Sequence, residues 1–204
     1  MCIAERQARR HRPSAERGVS LVELIVFIVI VSIGVAGVVG ALSMATRAST
    51  DPMIQKQALA IAEALLEEVQ LQPFTYCDPD DPQAATAQSA TVGAMGVGCS
   101  TGGVETIGAE SAAPYGPESR TSATNPFDNV NDYDTVTMTG ITDITGAAIT
   151  GLGSYIASVT VVNQALGAIP ASDSLLIKVT VTGPVGTTVV LHGYRVRYAP
   201  NALP

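Results

Sequence analysis

Residues 17–46 read R-G-V-S-L-V-E-L-I-V-F-I-V-I-V-S-I-G-V-A-G-V-V-G-A-L-S-M-A-T. No charge occurs from Leu24 to Ala45. At about 1.5 Å per residue such a run forms a helix long enough to cross a bilayer core. In hydrocarbon a helix satisfies its own backbone, so helix is the expected conformation. Glu23 breaks the pattern. It follows Leu21 and Val22 at the edge of the apolar run, where a carboxylate is costly and calls for a partner. Gly34, Gly37 and Gly40 lower helix propensity inside the run; they fit either close helix packing or simple tolerance of glycine in membrane helices.

Upstream the chain is basic. Residues 1–18 carry Arg6, Arg9, Arg10, Arg12 and Arg17 against Glu5 and Glu16, a net of +3. The remaining six basic and sixteen acidic residues give −10, and the whole chain −7. The positive-inside rule places residues 1–18 in the cytoplasm and the body outside. An acidic body lacks the phosphate-neutralising stripe that nucleic-acid binding needs. A conventional secretory signal fits poorly, because its apolar core is shorter and its cleavage site follows that core. Ser43-Met44-Ala45 is the one stretch that would serve as such a site.

The three cysteines are Cys2, Cys77 and Cys99. His11 and His192 are remote from them, so no zinc spacing arises. If residues from 19 onward are exported, Cys77 and Cys99 form an even pair in an oxidising compartment and a disulfide is expected; the other reading is two free thiols.

Downstream, Asp51-Pro52 reads as an N-cap followed by Pro at the first helical position. Ile54, Ala58, Ile61, Leu65 and Val69 recur at helical spacing, widened by Leu59, Ala62 and Leu66, with Glu63, Glu67 and Glu68 on other faces. An amphipathic helix over about 51–71 follows, continuing the first helix with a kink at Asp51-Pro52 or standing apart from it. Residues 72–134 read as a long loop, which the disulfide, short helices or intersubunit contacts must order. From 135 the period becomes two. Strands are expected over 135–139, 155–162, 175–182 and 187–199, with Gly183-Pro184-Val185-Gly186 joining the last two. In the last strand Val189 and Leu191 belong to the core, but so do Tyr194, Val196 and Tyr198. That phase slip predicts a β-bulge at His192-Gly193. The fold class is α+β: a long N-terminal helix, half membrane and half amphipathic, packed on a C-terminal antiparallel sheet. The organisation is leader 1–18, transmembrane and assembly helix 19–46, amphipathic helix 47–71, loop 72–134 and sheet 135–204.

Neither an H-E-x-x-H, a P-loop lysine nor a G-x-G-x-x-G occurs, and no enzyme activity is expected. Asp128, Asn129, Asn131, Asp132 and Asp134 form the densest set of hard oxygen ligands. Calcium on Asp128, Asp132 and Asp134 is the one metal candidate. The spacing is not that of an EF-hand, since Val130 falls at a ligand position, and an Asx-rich turn entering the sheet is the preferred reading. No cofactor is expected otherwise. Arg195 and Arg197 share one face of the last strand and read as solvated or paired with acidic loops.

A basic leader ending in Gly18, then Val19, Ser20 and Glu23 ahead of an unbroken apolar helix, resembles the class III signal of type IV pilins and type II secretion pseudopilins. The family has Gly at the scissile bond, an apolar new N-terminus, Ser or Thr next, and Glu fifth. Val19 departs from the usual Phe or Met. The resemblance implies a prepilin peptidase that cleaves after Gly18 and N-methylates Val19. It implies that Glu23 pairs with the Val19 amine of a neighbouring subunit, and that other pilin subunits and an inner-membrane assembly platform are partners. It also implies a single-pass location in a bacterial inner membrane, with a periplasmic body, and then in a surface filament. Within the family, residues 51–68, 127–134 (F-D-N-V-N-D-Y-D) and 193–198 (G-Y-R-V-R-Y) look most like the larger minor pilins of mannose-sensitive haemagglutinin type pili. The expected role is a structural minor prepilin. A type II secretion pseudopilin is the alternative, and a membrane-anchored binding domain that never polymerises is the third reading.

Overall fold

The computed structural model describes residues 18–203, and of residues 45–51 the backbone alone. The leader, with its arginines and Cys2, lies outside the described residues. The chain divides into two units, residues 1–48 and 49–204. Helix α1, Leu21–Leu71, contributes to both and has Pro52 inside it. The backbone is therefore helical through Asp51-Pro52, and no new helix starts there as the N-cap reading would have it.

In the first unit, Ser20 lies just before α1, and its carbonyl accepts the N–H of Leu24 at 3.1 Å. The segment Leu21–Met44 is long and apolar enough to cross a membrane, and its side chains are exposed. The two serines within it do not leave hydroxyls unpaired. Ser32 Oγ donates to Ile28 O at 2.7 Å and Ser43 Oγ to Val39 O at 2.9 Å. Such back-bonding lets a hydroxyl sit in an apolar helix.

In the second unit, α1 buries the expected stripe of Ala58, Ile61, Ala62, Leu65 and Val69, with Ile54 and Leu66 partly buried beside it. Leu59 is not part of the stripe and stays 38% exposed. The stripe packs on a four-stranded antiparallel meander ordered β1 Thr137–Thr139, β2 Ile156–Asn163, β3 Ser174–Thr182 and β4 Thr188–Val196. Alternation in β3 puts Leu175, Ile177, Val179 and Val181 wholly inside, while Lys178 and Thr182 face out. Ala157, Val159 and Val161 of β2 complete that layer. The turn at 183–187 is closed by the Gly183 N–H on Thr187 O at 2.8 Å. Val185 and Gly186 adopt positive φ there, of 59° and 77°.

The bulge at His192-Gly193 is absent. Register runs one to one from Thr182↔Thr188 to Ser174↔Val196, with Lys178 opposite His192 and Ile177 opposite Gly193. Alternation carries through, so Val189, Leu191 and Gly193 share the helix-facing side, and Tyr194 and Tyr198 are exposed instead of buried. The cause is the approach of the helix. A Cβ on Gly193 would lie 2.5 Å from Gln70 Nε2 and 3.0 Å from Leu66 Cδ1. Glycine therefore continues the inward phase without displacing the tips of Gln70 and Leu66.

The 72–134 segment is ordered by local bonds. The Cys77–Cys99 disulfide forms. Cys77 also pairs with Val104 in an antiparallel bridge. A 3-10 turn spans Val130–Tyr133. Asn201, near the C-terminus, donates to Ala84 O at 2.7 Å and Ala87 O at 2.9 Å, tying the tail to the disulfide loop.

A salt bridge absent from the sequence reading joins the loop to α1. Arg120 Nε and Nη2 each donate to a Glu68 carboxylate oxygen at 2.7 Å. Tyr133 OH donates to the same carboxylate at 2.9 Å. A third Arg120 nitrogen reaches the carbonyls of Thr142 and Asp143. Glu68 is thus no solvated helix residue. Forked geometry and partial burial put this pair above ordinary surface bridges. Arg120→Ala should cost about 3 kcal/mol in chemical denaturation, and Arg120→Lys should recover a part of it only, because lysine cannot bond both oxygens. A loss under about 1 kcal/mol, the range of exposed pairs, would show that the fork carries little.

Candidate functional site: a processing segment and a buried acidic cluster

Gly18, Val19 and Ser20 are non-helical and exposed, immediately ahead of α1. Val19 is 71% exposed, and nothing among the described residues lies within 4 Å of where a Gly18 Cβ would be. A protease needs an extended, accessible strand of substrate, and glycine at the bond offers one without a side chain. Glu23 lies in the first turn of α1, three residues after Ser20. A carboxylate there also faces the positive end of the helix. Gly18-Val19 and the Glu23 carboxylate, both singled out from the sequence, therefore lie within one short stretch.

The second unit contains a different arrangement. Cys77 and Cys99 are fully buried, and the antiparallel bridge between Cys77 and Val104 sets residues 78 and 105 diagonally across it. Asp78 N–H bonds Gly103 O at 3.1 Å, and Glu105 N–H bonds Tyr76 O at 3.1 Å. Carboxylates collect around this ladder in three overlapping groups: Asp78 with Glu105 and Glu110, Asp78 with Asp80 and Asp128, and Glu110 with Glu118 and Asp132. Within each group the oxygens lie within 4.8 Å of one another. Among the described residues, no Lys, Arg or His forms an ion pair with any of the seven. Arg197 is the cation whose field reaches Glu105, but it bonds Asp173 at 3.3 Å and stacks on the rings of Phe74 and Tyr76.

Burial and crowding act on these groups in one direction. Desolvation, assisted by neighbouring carboxylates, pushes Asp78 up to about 6 even though the Asp80 N–H bonds it. It pushes Asp132 up to about 7 and Asp128 to about 8. Glu105 and Glu118 are raised as well, again chiefly by burial.

Two of the three calcium candidates enter this cluster and one does not. Asp134 Oδ1 instead accepts the Val161 N–H at 2.8 Å, clamping the turn to β2. Asp132 is also the anchor of the Asx-rich turn: its Oδ2 accepts the N–H groups of Asn129 at 2.7 Å and Asp128 at 3.0 Å. Asp78, Glu105, Glu110 and Glu118 were missed because no fixed spacing links them. The signal that could have found them is the disulfide, which folds residue 78 back towards residue 105. Arg197 takes the second of its two expected states, paired with Asp173 of the loop before β3, and its side chain is buried.

The expectation that no G-x-S-x-G occurs is corrected by residues 98–102, which spell Gly-Cys-Ser-Thr-Gly, the spacing of a hydrolase nucleophile elbow. The surroundings are wrong for that chemistry. Ser100 Oγ donates to Asp81 Oδ1 at 2.7 Å and accepts Gln83 Nε2 at 2.9 Å. The segment is a loop and not a strand-to-helix turn, and His192 belongs to β4.

Residues 13–39 match the family described as the prokaryotic N-terminal methylation motif. No curated protein and no solved structure matches the chain. The matched stretch holds Gly18, Val19, Ser20 and Glu23 together with most of the apolar helix. The N-terminal segment is thus similar to the methylated segment of pilin- and pseudopilin-type prepilins, which supports a structural, type IV pilin-like protein.

Proposed function

We propose that this chain is a structural minor prepilin of a type IV pilus. In this reading residues 19–46 hold it in the bacterial inner membrane with the N-terminus cytoplasmic and the body periplasmic. Prepilin peptidase cuts after Gly18 and methylates the Val19 amine, which keeps its positive charge. The assembly platform then passes the subunit into a filament beside other pilins. The observation that carries the reading is the matched segment itself: an exposed, non-helical Gly18-Val19-Ser20, a carboxylate at Glu23, and an uncharged helix beyond.

The chemistry of assembly follows from that segment. A carboxylate in hydrocarbon is expensive alone. Paired with a cationic amine in the low-dielectric core of a helix bundle, it offsets part of the desolvation of both ions. Such a pair also fixes the register between helices. Val19 and Glu23 would then serve as donor and acceptor of neighbouring subunits. Assignment to a pilus rests on the likeness of residues 51–68, 127–134 and 193–198 to minor pilins of mannose-sensitive haemagglutinin type systems. The test is fractionation of the source bacterium. Sheared surface filaments should contain this subunit at low stoichiometry beside a major pilin. Retention in the envelope beside a secretion apparatus would replace the pilus reading with the pseudopilin one.

A further inference from the structure

The acidic cluster has no part in processing or helix assembly, and its chemistry is unbalanced. Glu105 is 6% exposed, and both its carboxylate oxygens are buried without a hydrogen-bond partner among the described residues. Asp78 Oδ2, Asp132 Oδ1 and Glu118 Oε2 are in the same condition. Asp78 and Asp132 are 1% exposed. The remaining oxygens of Asp78 and Asp132 do have partners, the N–H groups of Asp80 and of Asp128 and Asn129. The backbone thus holds one oxygen of each and leaves the other buried without a partner among the described residues. Buried anions without counterions are costly, and native structures pair them or give them to metals.

We propose that Asp78, Glu105 and Glu110, with Asp132 and Glu118 beside them, hold a hard divalent cation of the calcium class. The donors are all oxygen. Cys77 and Cys99 are bonded to each other and supply no thiolate, and none of the groups contains histidine, so the set suits a hard cation over zinc or copper. Calcium takes six to eight oxygens in irregular arrangements, whereas magnesium demands a near-octahedral shell and keeps its waters. Carboxylates drawn from three separate loop segments fit the first description. The ion would join the turn after Cys77, the stretch from Glu105 to Glu118, and the turn that leads into β1. It would thereby tie three parts of the long loop to one another. The proposal stands apart from the pilin reading, since it uses no residue of the N-terminal segment.

The rival arrangement is a cluster held by shared protons, which needs no cation. Full-length protein in detergent micelles, freed of metal with a chelator and dialysed, separates the two. Calcium chloride up to about 10 mM, above the weak end of extracellular calcium modules, should give a saturable heat in titration calorimetry. It should also raise the melting midpoint by several degrees, with magnesium chloride doing less. Glu105→Gln and Asp78→Asn should each weaken calcium binding by at least about tenfold. Their cation-free forms should melt no lower than cation-free wild type, because a buried like charge is gone. Glu63→Gln, an exposed helix carboxylate, should bind as wild type. Absence of heat and melting shift in the wild type would overturn the proposal. So would calcium binding that survives both cluster substitutions, or one that falls equally with Glu63→Gln.

Discussion

Glu23→Gln should be processed and inserted like the wild type and yet be lost from filaments. The side chain keeps its size and its helical turn, so neither the cut at Gly18 nor membrane insertion is affected. What disappears is the charge. A neutral amide still accepts a hydrogen bond from an amine, but it loses the ionic attraction that is strong in a low-dielectric environment. An amine buried beside a neutral partner keeps its own desolvation penalty, and breaking one side of a buried pair costs about 3–5 kcal/mol. That corresponds to incorporation reduced by two orders of magnitude or more. Glu23→Leu should insert at least as well as the wild type and assemble no better than the Gln variant, because it removes a polar group from hydrocarbon. Quantified in sheared filament fractions, entry of both variants at wild-type levels would refute the pairing. Capping of the first helical turn would then be the remaining role for Glu23.

The fold was legible in the sequence wherever one period dominated. The helical stripe of Ala58, Ile61, Leu65 and Val69 and the alternation of Leu175, Ile177, Val179 and Val181 both face the core as their spacing requires. Such periodicities report burial directly. The last strand misled for a physical reason. Tyr194, Val196 and Tyr198 resemble core residues, but the core side at that point is filled by Gln70 and Leu66, and glycine is what fits beneath them. Apolar side chains on the outer face of β4 are then ordinary surface, since much of a folded protein's surface is apolar. Arg120 was invisible because a loop has no period. Its importance comes from a fork on Glu68 across 52 positions of sequence.

The candidate sites divide along the same line. Gly18, Val19 and Glu23 lie within one short contiguous stretch, so local order was enough to find them. The acidic cluster is assembled by tertiary structure. Asp78 and Glu105 meet because Cys77 pairs with Val104, and Asp132 joins them from the far end of the loop. Sequence density pointed at residues 128–134, where one aspartate of three turned out to clamp β2.

Gly18→Glu should abolish maturation altogether. The bond after residue 18 sits in an exposed, non-helical segment, and a charged side chain there removes the freedom that glycine gives. The uncut chain would keep its basic leader on the cytoplasmic side, where the arginines hold it. Without a free Val19 amine it would have no cation to offer the next subunit's Glu23, so a processing block should also be an assembly block. The gel shift expected is the loss of the 18 leader residues. Full-size Gly18→Glu in a host with active peptidase, next to shortened wild type, is the expected pair of bands. Shortened Gly18→Glu would mean that the cut lies elsewhere.

The most direct measurement is intact and peptide-level mass spectrometry of the wild-type protein from a host with an active prepilin peptidase. The account requires a mature chain beginning at Val19, carrying one added methyl group on its amine. A chain beginning at Met1, or one cut beyond the apolar helix after Ala45, would contradict it.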